Sequence, residues 1–174
     1  MDFEIENGVL IKCRGNDSEI TIPDSVTSIG DNAFAFCARL KSITIPDSVT
    51  SIGAEAFEYC HSLTSVVISN SAKSIADGAF GYCISLTSII INGNELKIDY
   101  QEIKNAGELI TDAIGMLFKK DFSRKFSHKI KFKLIADYFF CTADEDAGAY
   151  LKKNAVRIIR QFIENNDIER IRAC

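Results

Sequence analysis

Apolar and polar positions follow a pattern that repeats every 23 residues through the first half of the chain. The copies are ITIPDSVTSIGDNAFAFCARLKS (from Ile20), ITIPDSVTSIGAEAFEYCHSLTS (from Ile43) and VVISNSAKSIADGAFGYCISLTS (from Val66), and a fourth, IIINGNEL, begins at Ile89 and stops. The first two copies are identical at 16 of 23 positions, and the second and third at 12. Self-similarity at this period predicts a solenoid, in which each unit buries its apolar side against its neighbours.

The second copy shows how one unit is expected to fold. Residues 43–45 alternate and are β-branched, which favours a short strand, and the Pro-Asp-Ser of residues 46–48 favours a turn. Residues 49–52 alternate again and predict a second strand. The apolar spacing of residues 54–60 predicts a single helical turn that places Phe57 inside the coil. Stacked coils should then align equivalent interior residues, namely Phe34, Phe57 and Phe80, with Leu40, Leu63 and Leu86 beside them.

Different patterns flank the repeats. Residues 3–13 hold two alternating segments joined by Asn7-Gly8, a dipeptide that favours a tight hairpin turn, so residues 1–19 are predicted to form an N-terminal hairpin cap. Residues 20–94 form the repeat region. After Asn94 the apolar period changes from that of a strand to that of a helix, which predicts an α-helical module over residues 95–174.

Three helices and the start of a fourth, capped by Asp167, are predicted in this module. The first has an inward face that ends at Leu117, the second covers residues 127–141, and the third covers residues 145–164 after a capping box of Thr142 and Glu145. The inward residues of the second helix are Ile130, Leu134, Ile135, Tyr138 and Phe139. A truncated paired-helix repeat and a capping segment are both open interpretations of the end of the module.

Charge and cysteine usage add to this picture. Residues 1–94 carry 5 Lys/Arg against 11 Asp/Glu, a net charge of −6, whereas residues 95–174 carry 15 against 13. No apolar run reaches the roughly 18 residues that a membrane-spanning helix needs. The N-terminus lacks the basic start and apolar stretch of a secretory signal, which predicts a cytoplasmic, reducing location. Three thiols occupy one slot of the repeat, and we expect them to be free and buried: Cys37, Cys60 and Cys83.

The repeat phrase IPDSVTSIGxxAFxxCxxLxS resembles the BspA-type leucine-rich repeat, which is found in bacterial surface proteins and in some protozoa. The resemblance covers roughly residues 20–92 and implies a right-handed leucine-rich-repeat solenoid. Together with the helical pattern, it gives an α+β fold class: a leucine-rich-repeat solenoid of parallel strands, followed by an α-helical module. The family also implies protein-binding or adhesive roles. It further implies a cell-surface or secreted location, whereas the N-terminus predicts a cytoplasmic location.

One face of the solenoid is the candidate for partner binding, because leucine-rich-repeat proteins commonly bind partners on this wall. Its predicted outward residues are Thr21, Thr44, Val67 and Ile90, flanked by Ser42, Ser65 and Ser88. The row becomes apolar towards its C-terminal end. Two explanations stay open: Val67 and Ile90 seat the helical module, which is favoured, or they bind an external ligand.

Two other segments have weaker functional interpretations. Residues 119–133 contain seven Lys/Arg and one Asp with interleaved aromatics, as a surface for nucleic acid or anionic membranes would, but a solvated helix face is favoured. Cys60-His61 places a nucleophile next to a base, yet the repeat pattern buries Cys60. No metal-ligand spacing or phosphate-binding glycine loop is present in the sequence.

The sequence therefore predicts a non-catalytic protein-recognition module, with a protein partner, no cofactor and no small-molecule substrate. The first alternative is a cell-surface adhesin that binds host or matrix proteins. The second is contact of the basic helical stretch with nucleic acid or an anionic surface.

Overall fold

Two five-stranded sheets form two sides of the repeat region in the computed structural model of the chain. The structure describes residues 2–69, 71–76, 78–91, 93–98, 117, 134–135, 137–139 and 143–154. The elements are β1 (Asp2–Glu6), β2 (Val9–Arg14), β3 (Glu19–Thr21), β4 (Ser28–Ile29), β5 (Ser42–Thr44), β6 (Ser51–Ile52), β7 (Ser65–Ile68), β8 (Ser74–Ile75), β9 (Ser88–Ile91), β10 (Asn94–Lys97) and α1 (Glu145–Lys153).

Neighbouring parallel strands lie one repeat apart in the sequence. One sheet has the order β3-β5-β7-β9-β10 and the other the order β1-β2-β4-β6-β8. In the first sheet, Ile20 pairs with Ile43, Ile43 with Val66, and Val66 with Ile89. Each step advances the chain by one 23-residue unit, so the predicted solenoid of parallel strands is confirmed.

The predicted aromatic stack fills the interior. The ring centroids of Phe34 and Phe57 lie 5.0 Å apart, and those of Phe57 and Phe80 lie 5.1 Å apart, with planes inclined by 13° and 7°. All three rings are buried, as are the leucines predicted beside them, Leu40, Leu63 and Leu86. Burying a ring of this size removes a large apolar area from water, which makes the stack a main source of stability.

The third side of each coil differs from the prediction of a helical turn. Over residues 54–60 the chain forms successive β-turns, in which the amide of Cys60 donates to the carbonyl of Phe57 at 3.2 Å. Tyr59, the third residue of that turn, has a φ of 58°. Its amide donates to the carbonyl of Gly81 in the next coil at 2.9 Å. An α-helix would direct these amides along its own axis to carbonyls four residues earlier, so hydrogen bonding between coils excludes it here.

A hairpin covers the N-terminal end, as predicted. Strands β1 and β2 pair antiparallel, and the connecting residues Asn7 and Gly8 both have positive φ, 50° and 81°. Strand β2 then pairs in parallel with β4, and the amide of Thr27 donates to the carbonyl of Gly8 at 2.8 Å. The hairpin is therefore fixed both by its own turn and by the first full coil.

A second hairpin ends the repeat region, and the sequence analysis did not identify it. Residues 94–97 form β10, which runs antiparallel to β9 and places the buried Leu96 opposite Ile89. Gly93 has a φ of 80°, close to the 81° of Gly8 in the first hairpin. The sequence boundary at residue 95 thus falls inside a strand of the solenoid. The reason is that β10 pairs with β9 and covers the exposed edge of its sheet.

Helix α1 begins where the third helix was predicted, but with a different cap. The carboxylate of Asp144 accepts a hydrogen bond from the amide of Ala147 at 3.0 Å, so Asp144 is the N-cap in place of the predicted Thr142. Aspartate satisfies free helix amides as well as threonine does. The described helix ends at Lys153 and is followed by the C-cap Asn154.

The remaining helical predictions fall mostly outside the described residues, including 155–164 and most of the first and second helices. Within the second predicted helix, the described residues are helical. Three of its predicted inward residues are buried there: Leu134, Ile135 and Tyr138.

Candidate partner-binding surface

The predicted outward row lies in register across four parallel strands. Thr21 pairs with Thr44, Thr44 with Val67, and Val67 with Ile90. Each of these residues alternates with buried neighbours, for example Ile43 on one side of Thr44. Because side chains on a strand alternate between its two faces, this places the row on the outer face, away from the core. We call the face formed by Thr21, Thr44, Val67 and Ile90 the strand face.

The side chains of the strand face become less exposed to solvent towards its C-terminal end. Thr21 is exposed, whereas Thr44, Val67 and Ile90 are half-buried. The flanking serines follow the same trend, since Ser42 and Ser65 are half-buried and Ser88 is only 8% exposed. The structure therefore brings the predicted site residues together, but it leaves Ser88 almost without surface for a partner.

Ser88 also carries an unusual buried group. Its hydroxyl oxygen has no hydrogen-bond partner among the described residues. It lies on β9 opposite Lys97 of β10.

The interior thiols are held in an unreactive state. The Sγ of Cys60 donates to the carbonyl of Phe34 at 3.1 Å, and the Sγ of Cys83 donates to that of Phe57 at the same distance. Burial raises the pKa of Cys60 to about 12 and also raises the pKa of Cys83. The expectation of free, buried thiols is confirmed at these two positions, and a neutral buried Cys60 is a poor nucleophile.

The thiol of Cys37 behaves differently from its two equivalents. It is half-buried and shares a hydrogen bond with Cys13 of β2, a residue the sequence analysis did not single out. That bond lowers the pKa of Cys37 to about 7, with help from Lys12 and against the effect of burial. The same bond, together with burial, raises the pKa of Cys13. Both cysteines are free thiols.

A second surface, absent from the sequence analysis, lies on the third side of the coils. The rings of Phe36 and Tyr59 stack with centroids 4.9 Å apart, and those of Tyr59 and Tyr82 with centroids 4.5 Å apart. Phe36 is 69% exposed and Tyr82 is 56% exposed. We call Phe36, Tyr59 and Tyr82 the aromatic ridge. The available signal was an aromatic residue immediately before the repeated cysteine in every copy.

Other classes of site find little support in the described part of the chain. No three His, Cys, Asp or Glu side chains lie together there as potential metal ligands. No helix among those residues is both long and apolar enough to cross a bilayer. The basic stretch at residues 119–133 lies outside the described residues, so its interpretation stays a prediction.

Comparison with known proteins gives one family match and several similar solved structures. Residues 4–133 match the BspA type leucine rich repeat region, in six copies, which extends beyond residues 20–92 on both sides. The chain is similar to a leucine-rich-repeat protein from T. pallidum, with 26% identity over 47% of this chain and 41% of that one, and a TM-score of 0.46. A leucine-rich cell surface protein from Faecalibacterium prausnitzii is 35% identical over 48% of this chain and 27% of its own, with a TM-score of 0.41.

The chain therefore spans less than half the length of either solved relative. No curated protein matches it.

Proposed function

Because the chain belongs to the BspA-type leucine-rich-repeat family, we propose that its solenoid is a non-catalytic protein-recognition module that binds a protein partner on the strand face. The observation that carries this proposal is the register of Thr21, Thr44 and Val67 across neighbouring parallel strands. Such a row gives a partner a regular set of short side chains on a rigid backbone, and rigid surfaces lose little conformational entropy on binding.

The size of the face limits the kind of partner. Strands in a sheet lie about 4.8 Å apart, so four parallel strands span roughly 15 Å. This suits a small patch on a folded protein or a short segment better than a long wrapped ligand. The hydroxyls of Thr21 and Thr44 offer hydrogen bonds at one end, and the apolar Val67 offers contact area at the other.

A photo-crosslinking residue placed at position 44 tests the proposal directly. The matched control carries the same residue at Thr50, which is exposed but lies outside the strand face. Partner proteins crosslinked from position 44 and not from position 50 would support the strand face. Equal crosslinking from both positions, or crosslinking from position 50 alone, would contradict it. Thr44→Glu should then abolish binding of the crosslinked protein.

The apolar end of the strand face has a second explanation within the chain itself. Val67 and Ile90 are half-buried, as expected if they seat the helical module. Ile90→Glu would then separate the module from the solenoid and increase the radius of gyration in small-angle X-ray scattering. An unchanged radius and unchanged stability would favour an external ligand at this end.

A more specific form of the proposal is that the protein is an adhesin, which requires that it lie on the cell surface. The family occurs in bacterial surface proteins, which favours host or matrix proteins as partners. Protease treatment of intact and lysed source cells separates the two locations. Degradation on intact cells would support the adhesin, whereas protection until lysis would exclude it and direct the search to cytoplasmic partners.

A further inference from the structure

The aromatic ridge has a backbone conformation that its residues do not favour. Phe36, Tyr59 and Tyr82 have φ values of 63°, 58° and 55°. Each is the third residue of a β-turn, for example the turn closed by the hydrogen bond from the amide of Cys37 to the carbonyl of Phe34 at 3.1 Å. Glycine or asparagine is the usual residue at a turn position with positive φ, and a bulky side chain there is an outlier.

Hydrogen bonds between coils maintain this conformation. The amide of Phe36 donates to the carbonyl of Glu58 at 2.8 Å, and the amide of Tyr59 donates to that of Gly81 at 2.9 Å. Such bonds need only the backbone and would form equally well with asparagine. Folding therefore requires the turn but not the aromatic side chain. Strained residues of this kind concentrate at binding sites.

The geometry of the rings restricts what they contact. The planes of Tyr59 and Tyr82 are nearly parallel, inclined by 2°, and those of Phe36 and Tyr59 by 14°. Both faces of Tyr59 are thus covered by neighbouring rings, and a sugar ring has no open face there on which to stack. The middle of the ridge instead presents ring edges to solvent, and Ile84, in the turn that follows Tyr82, is 48% exposed. Ring edges and an aliphatic side chain are suited to packing against other aliphatic side chains.

The charged side chains around the ridge indicate the sign of the charge that a partner should carry. Neighbouring groups raise the pKa of Tyr59, first through desolvation and then through the charges of Tyr82, Glu58 and Glu55. The side chains of Glu55 and Glu58 lie against Gly78 and Gly81 of the next coil, since a Cβ on these glycines would be 3.0 and 3.1 Å from the two Cγ atoms. The repeat region, residues 20–94, also carries a net charge of −3, from 3 Lys/Arg against 6 Asp/Glu. A second copy docked ridge to ridge would bring like charges together, which opposes self-association.

We propose that the aromatic ridge is a second interaction surface, which binds an extended protein segment where arginine or lysine alternates with aliphatic residues. Aliphatic side chains of the segment pack on the ring edges of Phe36, Tyr59 and Tyr82. The cationic side chains lie along the same rings through their methylene groups and pair with Glu55 and Glu58. This surface uses turns outside the strand face, so it goes beyond the function proposed above and can be tested separately.

Three labelled peptides test the proposal by fluorescence polarisation with the whole chain. One alternates arginine and valine, one glutamate and valine, and one arginine and serine. We expect the arginine–valine peptide to bind, the other two to bind much more weakly, and binding to weaken as salt rises. Tyr59→Asn should reduce affinity by at least about tenfold, because asparagine tolerates the left-handed turn while removing the central ring. Thr50→Asn, at an exposed position outside both the strand face and the aromatic ridge, is the matched control and should leave the affinity unchanged.

Several outcomes would overturn the proposal. They include no binding of the arginine–valine peptide, equal binding of the glutamate–valine or arginine–serine peptide, and unchanged affinity in Tyr59→Asn. Binding of a neutral glucan that is lost in Tyr59→Asn would assign the ridge to carbohydrate instead. Self-association in sedimentation that is lost in the same variant would assign it to a second copy. Tyr82→Gly, which also suits a positive φ, is the second variant and should reproduce the loss of affinity even where Tyr59→Asn folds poorly.

Discussion

The thiol of Cys60 donates a hydrogen bond to the carbonyl oxygen of Phe34, 26 residues earlier and one coil away, at 3.1 Å. Cys83 makes the equivalent bond to Phe57. The repeated cysteine thus links consecutive coils through their interior and also fills space there. We expect Cys60→Ala to lower the free energy of unfolding by about 1–2 kcal/mol, from the lost bond and the small cavity.

Urea unfolding measures this loss, with the exposed Thr21→Ala as control, which should change stability by less than about 0.5 kcal/mol. A Cys60→Ala variant as stable as the wild type would show that the thiol only occupies space.

Phe57 is the centre of the interior stack, with a ring on each face. Phe57→Ala should lower the free energy of unfolding by about 3–5 kcal/mol, because it removes a buried ring and leaves a cavity between two others. Chemical unfolding followed by circular dichroism gives the value. A loss below about 1 kcal/mol would contradict a buried stack at this position.

Tyr59 lies two residues from Phe57, but its substitution should change stability far less. In Tyr59→Asn, relief of the positive φ favours folding by about 1 kcal/mol, and loss of ring stacking opposes it by a similar amount. We therefore expect unfolding free energy within about 1 kcal/mol of the wild type. The same unfolding experiment makes the comparison, and a loss as large as that of Phe57→Ala would mean that the ridge is part of the core.

The two hairpin glycines form a matched pair for testing the caps. Gly8 and Gly93 have φ values of 81° and 80°, but a Cβ on Gly8 would lie 2.8 Å from Oγ1 of Thr27, whereas one on Gly93 would have no atom of the described residues within 4 Å. Each alanine variant should lose about 1–2 kcal/mol from the left-handed backbone. Gly8→Ala should lose about 1 kcal/mol more, because Thr27 must move from its hydrogen bond to Gly8.

Equal losses in thermal or urea unfolding of the two variants would show that Thr27 adapts without a penalty.

The reactivity of Cys37 should depend on pH in a way that its equivalents do not share. The thiolate is the reactive form, and the pKa of Cys37 is about 7. Its alkylation by iodoacetamide should therefore rise as the pH increases through about 7 and then level off. Mass spectrometry of tryptic peptides reports each site, and Cys60, with a pKa of about 12, should stay unmodified in the folded protein.

Cys13→Ala tests the cause, because it removes the hydrogen bond from Cys13, the main effect that lowers the pKa of Cys37. The midpoint should move towards higher pH in that variant. A midpoint that stays near its wild-type value would assign the effect to Lys12.

The repeat made the core predictable. Once copies of one unit stack, burial of Phe57 implies burial of Phe34 and Phe80, and pairing of Ile43 with Val66 follows from their equal place in the unit. The N-terminal hairpin was predictable too, since Asn7-Gly8 determines its turn through local backbone preferences.

Features that depend on contacts between coils were not predictable. The apolar spacing of residues 54–60 fits a helical turn, and only the bond from Tyr59 to the next coil selects β-turns instead. The aromatic ridge could not be predicted either, because its rings come from different coils and stack only between them. The sequence has an Asn-Gly pair at residues 92–93, but the apolar run up to Ile91 resembles the start of another copy.

The constant step of 23 residues also makes the inner units interchangeable. Removal of residues 43–65 would bring Val66 opposite Ile20, where Ile43 now pairs, and would leave the alignment of every later strand unchanged. Gene duplication or deletion of whole units can therefore lengthen or shorten this molecule without a new fold. Each added unit extends the strand face and the aromatic ridge together by about 4.8 Å, so selection for a longer partner on one surface enlarges the other as well.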